Sequence, residues 1–208
     1  MRFTPRPDCQ IKNLAEIYEV HLPDQGRFVE VGAFDGATYS NTVFLAEMGW
    51  KGLYIEARPD FALQCRANHK GRWDKIETID CGVSDHEGFM DIYDIGECST
   101  LVWDQTAKNW GGDANRKFKV PVATLEFILT DYSIEPDFDL LVVDVEHHEL
   151  EVLRPFDLNK WRPKMCIVET HEMGGLPVNF LAKPIGEYFD SFGYKKIHAD
   201  TINTIWIR

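Results

Sequence analysis

The 208-residue sequence lacks any apolar run approaching the ~20 residues that a membrane-spanning helix requires. No apolar segment follows Arg2 and Arg6, so the secretory-signal pattern is missing as well, and we expect a cytoplasmic protein that does not contact a membrane. The five cysteines include no C-x-x-C pair, which argues against a zinc knuckle and against a disulfide framework.

Basic side chains are also scarce, because 22 Lys and Arg stand against 34 Asp and Glu and the net charge is −12. A nucleic-acid-binding groove needs clustered basic residues to neutralise phosphates, so we expect no nucleic-acid partner. The same charge argues against anionic lipids and leaves neutral glycans and small metabolites as candidate ligands. The length predicts a single domain over residues 1–208, and the oligomeric state stays open.

Strand and helix patterns alternate along the chain. Short apolar runs predict seven strands, at residues 27–31, 52–55, 76–79, 139–143, 165–168, 194–197 and 204–207. Helical segments lie between the first three strands and between the fourth, fifth and sixth, which indicates βαβ units and a parallel sheet. Because no helix separates the last two strands, one of them must run antiparallel. The sequence therefore predicts an α/β, Rossmann-like, doubly wound sheet of seven strands, with one antiparallel strand near the C-terminus.

The most informative stretch joins the first predicted strand to a glycine loop. Gly32 and Gly36 follow that strand with the spacing G-x-x-x-G, and glycines at such a strand end let the backbone approach a ligand closely. Glu56 stands at the tip of the second strand, where an acid can accept hydrogen bonds from both hydroxyl groups of a ribose. The loop and this acid together predict a site for a nucleoside.

The glycine loop departs from the dinucleotide fingerprint G-x-G-x-x-G, because Phe34 occupies the position of the second glycine. The acids Glu30 and Asp35 would repel a pyrophosphate, whereas they suit a cation. S-adenosylmethionine, a ribose that carries a cationic sulfonium and an amino acid, fits both observations.

Several motifs, in order along the chain, resemble those of the FkbM family of class I methyltransferases. They are V-E-V-G-A-F-D-G-A-T-Y-S-N-T at 29–42, G-L-Y-I-E-A-R-P at 52–59, D-C-G-V-S-D at 80–85, V-A-T-L at 122–125, D-L-L-V-V-D-V-E at 139–146 followed by Glu149, and I-V-E-T-H at 167–171. The resemblance runs from about Gly26 to Trp206. It implies transfer of a methyl group from S-adenosylmethionine to oxygen, commonly a hydroxyl group of a sugar or natural product. The cofactor residues predicted from it, with the adjoining Gly36 and Ala57, are Glu30, Gly32, Asp35, Gly36, Ser40, Asn41, Glu56, Ala57, Gly82 and Val83.

A second constellation lies at the ends of two central strands. Asp144 and Glu169 each end one of these strands, and neighbouring parallel strands lie ~5 Å apart, so the two carboxylates should face one another. With His171 two residues beyond Glu169, they could hold Mg²⁺ or Mn²⁺. Metal-dependent catechol and sugar O-methyltransferases are similar here. Asp144, Glu169 and His171 are therefore the predicted metal ligands.

Oxygen methylation also needs a base, because a sugar hydroxyl must lose its proton as it attacks the methyl group. The predicted catalytic residues are Asp144, Glu146 and His147, and the sequence does not choose between Glu146, His147 and His171 as the base. The FkbM family usually has glycine where this chain has His147. Glu146 and Glu149 have a structural alternative, since acids near a helix N-terminus stabilise the helix.

Two irregular segments, residues 1–25 and 96–118, are predicted to cover the site and contact the acceptor. Long loops in compact domains tend to be functional, and Trp103 and Trp110 could stack on the apolar face of a sugar. The other tryptophans, Trp50, Trp73, Trp161 and Trp206, flank predicted elements and are expected in the core.

Two other function classes compete with the methyltransferase interpretation. An NAD-type oxidoreductase on a similar sheet is disfavoured by the G-x-x-x-G spacing and by the lack of an evident Tyr-x-x-x-Lys pair. A non-catalytic binding protein is disfavoured because the glycines and Glu56 are intact.

Overall fold

The computed structural model describes residues 2–170 and 181–208. The strands are β1 (Arg27–Val31), β2 (Lys51–Glu56), β3 (Ile76–Asp80), β4 (Gly82–Val83), β5 (Gly88–Tyr93), β6 (Lys117–Ala123), β7 (Leu140–Val143), β8 (Met165–Glu169), β9 (Lys195–Ala199) and β10 (Asn203–Ile207). The helices are α1 (Leu14–His21), α2 (Val43–Glu47), α3 (Pro59–Asn68), α4 (Gln105–Asn109), α5 (Leu125–Asp131), α6 (Glu149–Leu153), α7 (Leu158–Trp161) and α8 (Ala182–Ser191). Within these described residues, no helix is both long enough and apolar enough to cross a membrane.

The main sheet has seven strands in the order β3-β2-β1-β7-β8-β10-β9. β3, β2, β1, β7 and β8 pair in parallel, and β10 runs antiparallel to both of its neighbours. The predicted mixed sheet with one antiparallel strand near the C-terminus is thereby confirmed. The strand order reverses between β1 and β7, and in such sheets ligands bind at the carboxyl edge beside that reversal.

A second, three-stranded sheet has the order β4-β6-β5, with β5 and β6 antiparallel along Gly88–Tyr93 and Lys117–Ala123. The seven strands predicted from the sequence do not include β5 or β6, and Pro121 interrupts the strand pattern of β6. The structure accommodates this proline since β4 pairs only with Val122 and Ala123, beyond it. This sheet places residues 97–101 above the carboxyl edge of the main sheet.

Apolar side chains cover both faces of the main sheet. Val29 and Val31 of β1 belong to one buried cluster, whereas the preceding residue, Phe28, belongs to the other. The second cluster also includes Phe3 and Tyr18, so part of the predicted 1–25 covering segment is core. Of the four tryptophans expected in the core, three are buried: Trp50, Trp161 and Trp206. Trp73 is 67% exposed, in the connection between α3 and β3, so that prediction was wrong.

Candidate active site

An open cavity of about 1130 Å³ lies at the carboxyl edge of the sheet, beside the strand-order reversal. Ten of the predicted site residues line it: Glu30, Gly32, Ser40, Asn41, Glu56, Ala57, Gly82, Val83, Asp144 and Glu146. Four others, Asp35, Gly36, His147 and Glu169, do not appear in its wall. The remaining prediction, His171, lies outside the described residues.

Glycine is required at positions 32 and 36 of the loop for different steric reasons. Gly32 has φ +81°, and a Cβ atom there would lie 1.6 Å from the carbonyl oxygen of Asp144, so only glycine lets the ends of β1 and β7 come together. Gly36 has φ +66°, and its Cβ atom would collide with the Sγ atom of Cys65 in α3. Gly36 therefore packs the loop against a helix and does not face the cavity.

Asp35 shapes the same loop. Its Oδ1 atom accepts hydrogen bonds from the backbone N–H groups of Ala37 at 2.9 Å and Thr38 at 2.7 Å. Its Oδ2 atom accepts one from the Thr38 hydroxyl at 2.8 Å. These three bonds occupy the carboxylate in a turn, where short acidic side chains commonly bond to their own backbone.

Glu56 ends β2 and is held rigidly at the cavity wall. Its two oxygens accept hydrogen bonds from the backbone N–H groups of Phe34 and Arg58, each at 2.8 Å. Only 7% of the residue is exposed, and this burial raises the pKa of Glu56 to about 7 although both hydrogen bonds oppose the shift. The position of this acid at the strand tip agrees with the sequence-based expectation.

Glu30 lies inside β1 and is satisfied by hydroxyl donors. The Ser40 hydroxyl lies 3.3 and 3.2 Å from its two oxygens, and the Thr42 hydroxyl donates to Oε2. Burial raises the pKa of Glu30 to about 7, and the bonds from Thr42 and Ser40 oppose that shift. Because Ser40 and Asn41 both line the cavity beside Glu30, the loop brings these three predicted residues together.

A cluster of carboxylates forms where β7 and β8 end. Asp144, Glu146 and Glu169 each offer an oxygen, and the three oxygens lie within 4.8 Å of one another. The predicted convergence of Asp144 and Glu169 is therefore present in the structure. Glu146, predicted as a base, joins them with an oxygen that could also serve as a ligand.

Glu169 is buried, and Asp144 and Glu146 are half-buried. The adjoining Glu149 is also buried, and its Oε1 atom accepts a hydrogen bond from the Val145 N–H group at 3.0 Å. Burial, together with the neighbouring Asp144, raises the pKa of Glu146 to about 9 and that of Glu149 to about 8. Burial and the same neighbour also hold the pKa of Glu169 well above its usual value. Carboxylates crowded in this way resist ionising together, and a divalent cation with its preference for oxygen ligands would relieve that repulsion.

The backbone after Asp144 adopts an uncommon conformation. Glu146 has φ +55° and His147 has φ +74°, a region that glycine enters without steric cost. This positive φ explains why glycine suits position 147, where the FkbM family usually has it. Helix α6 begins directly after this turn, at Glu149, with His148 as its N-cap. Strained residues of this kind tend to occur at functional sites.

The two adjacent histidines point to different partners. The Nδ1 atom of His147 lies 3.1 Å from the Oδ2 atom of Asp104, and its ring centroid lies 5.6 Å from that of Trp110. The Nε2 atom of His147 is buried and has no hydrogen-bond partner among the described residues. The Nε2 atom of His148 lies 3.0 Å from the Ser84 hydroxyl. Sequence reasoning missed Asp104, since nothing in its local pattern links it to a residue 43 positions away.

The predicted covering segment 96–118 contributes part of the wall. Glu97, Cys98, Ser99 and Leu101 line the cavity. The Thr100 hydroxyl donates to the Glu146 carbonyl oxygen at 2.6 Å, which joins this segment to the carboxylate cluster. Trp103 packs against Tyr93, with ring centroids 4.9 Å apart. Neither Trp103 nor Trp110 lines the cavity.

Comparison with known proteins agrees with this geometry. The profile of the family described as the methyltransferase FkbM domain matches residues 30–196, which contain the glycine loop, Glu56 and the carboxylate cluster. The chain belongs to the FkbM methyltransferase family. No curated protein matches this FkbM methyltransferase significantly.

Solved structures similar to this FkbM chain share its class I methyltransferase fold. A methyltransferase FkbM from Methylobacillus flagellatus aligns at 12% identity and a TM-score of 0.56, over 89% of this chain but only 44% of its own. An O-methyltransferase from Bacillus cereus in complex with S-adenosylhomocysteine aligns at 13% identity and a TM-score of 0.54, over 99% and 83%. A precorrin-6y C5,15-methyltransferase from Geobacter metallireducens aligns at 11% identity and a TM-score of 0.51, over 99% and 93%.

Proposed function

We propose that the chain transfers a methyl group from S-adenosylmethionine to a hydroxyl oxygen of a sugar, a glycan or a related small molecule, assisted by a divalent cation. The observation that carries the proposal is one cavity with two kinds of acid in its wall. Glu56 and Glu30 are held by donors around the glycine loop, and Asp144 and Glu146 line the same cavity on the β7 side.

The cofactor half of the proposal assigns the glycine-loop side of the cavity to S-adenosylmethionine, which supplies the methyl group as a cationic sulfonium. Glu56 would accept hydrogen bonds from the ribose hydroxyls, as acids at this strand end do in related sheets. Gly32 lets the backbone approach the ligand, and Ala57 and Val83 offer apolar wall beside Glu56. Glu30, with a pKa of about 7, gains stability as a carboxylate when a cation lies nearby.

The metal half assigns a divalent cation to Asp144, Glu146 and Glu169, with His171 as a further predicted ligand. Such an ion lowers the pKa of a hydroxyl group bound to it and so favours its deprotonation. With Glu146 and His171 occupied as ligands, His147, which follows Glu146 and lies outside the cavity wall, is the predicted base that remains. Its Nδ1 atom is engaged by Asp104, which leaves Nε2 to accept the proton from the acceptor.

The chemical class of the acceptor is proposed from the charge of the protein. A net charge of −12 supports a neutral small molecule or glycan as the acceptor, with neither nucleic acid nor a membrane as a partner. We also propose that the protein is cytoplasmic.

The test begins with calorimetric titration of S-adenosylmethionine, S-adenosylhomocysteine and NADH into the purified chain. Binding of the first two and not the third supports the proposal, and selective binding of NADH contradicts it. A panel of sugars and glycosides is then incubated with S-adenosylmethionine, and products are screened for the mass gain of one methylene group. Each reaction is repeated with EDTA and with Mg²⁺ or Mn²⁺ restored, and full activity in EDTA contradicts the metal.

A further inference from the structure

Two residues of the cavity wall have no place in the cofactor and metal assignments. They are Gln10 from the N-terminal segment and Tyr39 from the glycine loop, which we call the Gln10–Tyr39 rim. Gln10 belongs to the 1–25 segment predicted to contact the acceptor, whereas Tyr39 was not predicted as a site residue.

Local contacts place the rim near the carboxylate cluster. The Sγ atom of Cys9 lies 3.5 Å from the Oδ1 atom of Asn41, which brings the N-terminal segment beside the glycine loop. The Oε1 atom of Gln10 accepts a hydrogen bond from the Asn203 side chain at 3.0 Å. Asn203 pairs in register with Glu169 across β10 and β8. Gln10 is therefore linked through Asn203 to the strand position beside Glu169 of the carboxylate cluster, where the proposed reaction takes place.

Tyr39 has the features of a binding residue. It lines the cavity while 50% of its surface stays exposed. Its backbone has φ +57°, a conformation that is uncommon for a bulky residue and tends to persist where function requires it. An exposed aromatic ring at a cavity mouth offers an apolar face to a ligand. The tryptophans expected in this role, Trp103 and Trp110, pack against Tyr93 and His147 instead.

The charge of the wall limits what the rim can bind. Among the described residues, the cavity lining contains five carboxylates, Glu30, Glu56, Glu97, Asp144 and Glu146, and neither lysine nor arginine. The sequence of residues 171–180, H-E-M-G-G-L-P-V-N-F, contains no lysine or arginine either. An acceptor with a phosphate or carboxylate near its reacting hydroxyl would find no basic side chain to pair with in this wall.

We propose that the Gln10–Tyr39 rim is the acceptor-binding site and that its ligand is an uncharged pyranoside. The apolar face of the sugar ring packs on Tyr39, and a hydroxyl group of the sugar pairs with the Gln10 side-chain amide. Uronic acids and nucleotide-activated sugars are disfavoured, because the cavity wall offers no lysine or arginine to pair with their charged groups. This inference rests on the proposed methyltransferase function and names its substrate class.

The experiment measures sugar binding directly, by saturation-transfer NMR on protein saturated with S-adenosylhomocysteine and Mg²⁺. The probes are methyl α-D-glucopyranoside, methyl α-D-mannopyranoside and methyl α-L-rhamnopyranoside, with methyl α-D-glucuronide as the charged match of the first. We expect the neutral probes to bind and the glucuronide to bind at least about tenfold more weakly.

Variants then locate the site. Tyr39→Ala should weaken binding of the neutral probes about tenfold, whereas Tyr39→Phe should retain it. Tyr39→Asn keeps a residue that tolerates positive φ and should lose binding as Tyr39→Ala does, which separates loss of the ring from a change in the backbone. Gln10→Ala should have a smaller effect. Trp73→Ala, an exposed aromatic far along the chain in the α3–β3 connection, is the matched control.

Three results would overturn the inference: no binding of any neutral probe to the wild-type protein, equal binding of the glucuronide, or unchanged binding in Tyr39→Ala. Loss of binding in Trp103→Ala alone would assign the acceptor to the 96–118 segment and would also overturn it. Calorimetry with S-adenosylhomocysteine separates the two proposals. Protein that binds this ligand but no sugar contradicts only the rim, whereas protein that does not bind it contradicts the proposed function.

Discussion

The two acidic regions of the cavity differ in how their charges are compensated. Around the glycine loop, Glu30 and Glu56 are buried, yet each accepts two hydrogen bonds from hydroxyl or backbone N–H donors. Burial raises the pKa of each to about 7, which leaves both able to ionise near neutrality. This region has its donors in place as soon as the chain folds.

At the ends of β7 and β8, by contrast, acid packs against acid. Asp144 raises the pKa values of Glu146, Glu149 and Glu169 in addition to the effect of burial. The difference teaches that burial alone does not define a metal site. Carboxylates surrounded by donors suit hydroxyl groups and cationic ligands, whereas carboxylates surrounded by carboxylates call for a cation or for shared protons.

The largest expected effect comes from removing a charge at the carboxylate cluster. Asp144→Asn should lower kcat by about 100-fold or more, because the proposed cation would stabilise the developing alkoxide by several kcal/mol. His148→Ala is the control and should cost much less, since its ring contacts Ser84 instead. Steady-state rates with Mg²⁺ and calorimetric Mn²⁺ binding measure both variants. Equal losses of kcat in Asp144→Asn and His148→Ala would contradict a distinct catalytic role for the carboxylate cluster.

On the glycine-loop side, Glu56→Gln should weaken S-adenosylmethionine binding. A hydrogen bond to a charged group contributes about 1.5–3 kcal/mol, and the carboxylate is placed to accept from two hydroxyls. Calorimetry should therefore show a Kd raised by about tenfold to 100-fold. Glu77→Gln, an exposed glutamate on the neighbouring strand β3, should leave the Kd unchanged. An unchanged Kd in Glu56→Gln would contradict the assignment of the ribose.

The pH dependence of stability sharpens the same comparison. The pKa of Glu30 is about 7 in the folded protein against 4.5 for an ordinary glutamate, so the folded state binds more protons between these values. Stability from this group is therefore present below about pH 4.5 and is lost as pH rises toward 7. Glu30→Gln should gain up to about 3 kcal/mol relative to wild type between about pH 5 and pH 8.

Denaturant unfolding across that pH range measures the Glu30→Gln effect, with Glu77→Gln as the variant expected to show no relative gain. A Glu30→Gln curve parallel to wild type would mean that the hydroxyl donors keep Glu30 ionised throughout.

The smallest expected effect concerns the strained backbone beside the cluster. His147→Gly should be more stable than His147→Ala by about 1 kcal/mol, because φ +74° costs a residue with a Cβ atom but not glycine. Both variants lack the imidazole, so both should lose activity if His147 is the base. Unfolding midpoints measure the backbone strain, and initial rates measure the role of His147 as a base. Equal stability of the two variants would show that the backbone relaxes at position 147.

Local patterns were sufficient for much of this molecule. The seven strands of the main sheet, the antiparallel last strand, the Gly32 turn and the position of Glu56 followed from apolar runs, breakers and spacing, because each depends on residues close in sequence. The meeting of Asp144 with Glu169 also followed, since parallel topology alone brings adjacent strand ends together. The expectation for Trp73 failed, because exposure depends on which layer covers a residue.

Other features were decided only by the tertiary structure. Asp35 and Gly36 belong to the right loop but are occupied by its turn and by α3, and no spacing rule distinguishes such a residue from one that faces the cavity. The Asp104–His147 contact and the Gln10–Tyr39 rim join segments far apart in the chain. Sequence by itself determined the sheet and the acids at its edge, whose positions follow from strand periodicity. Which side chains face the cavity was decided by long-range packing, which local patterns do not encode.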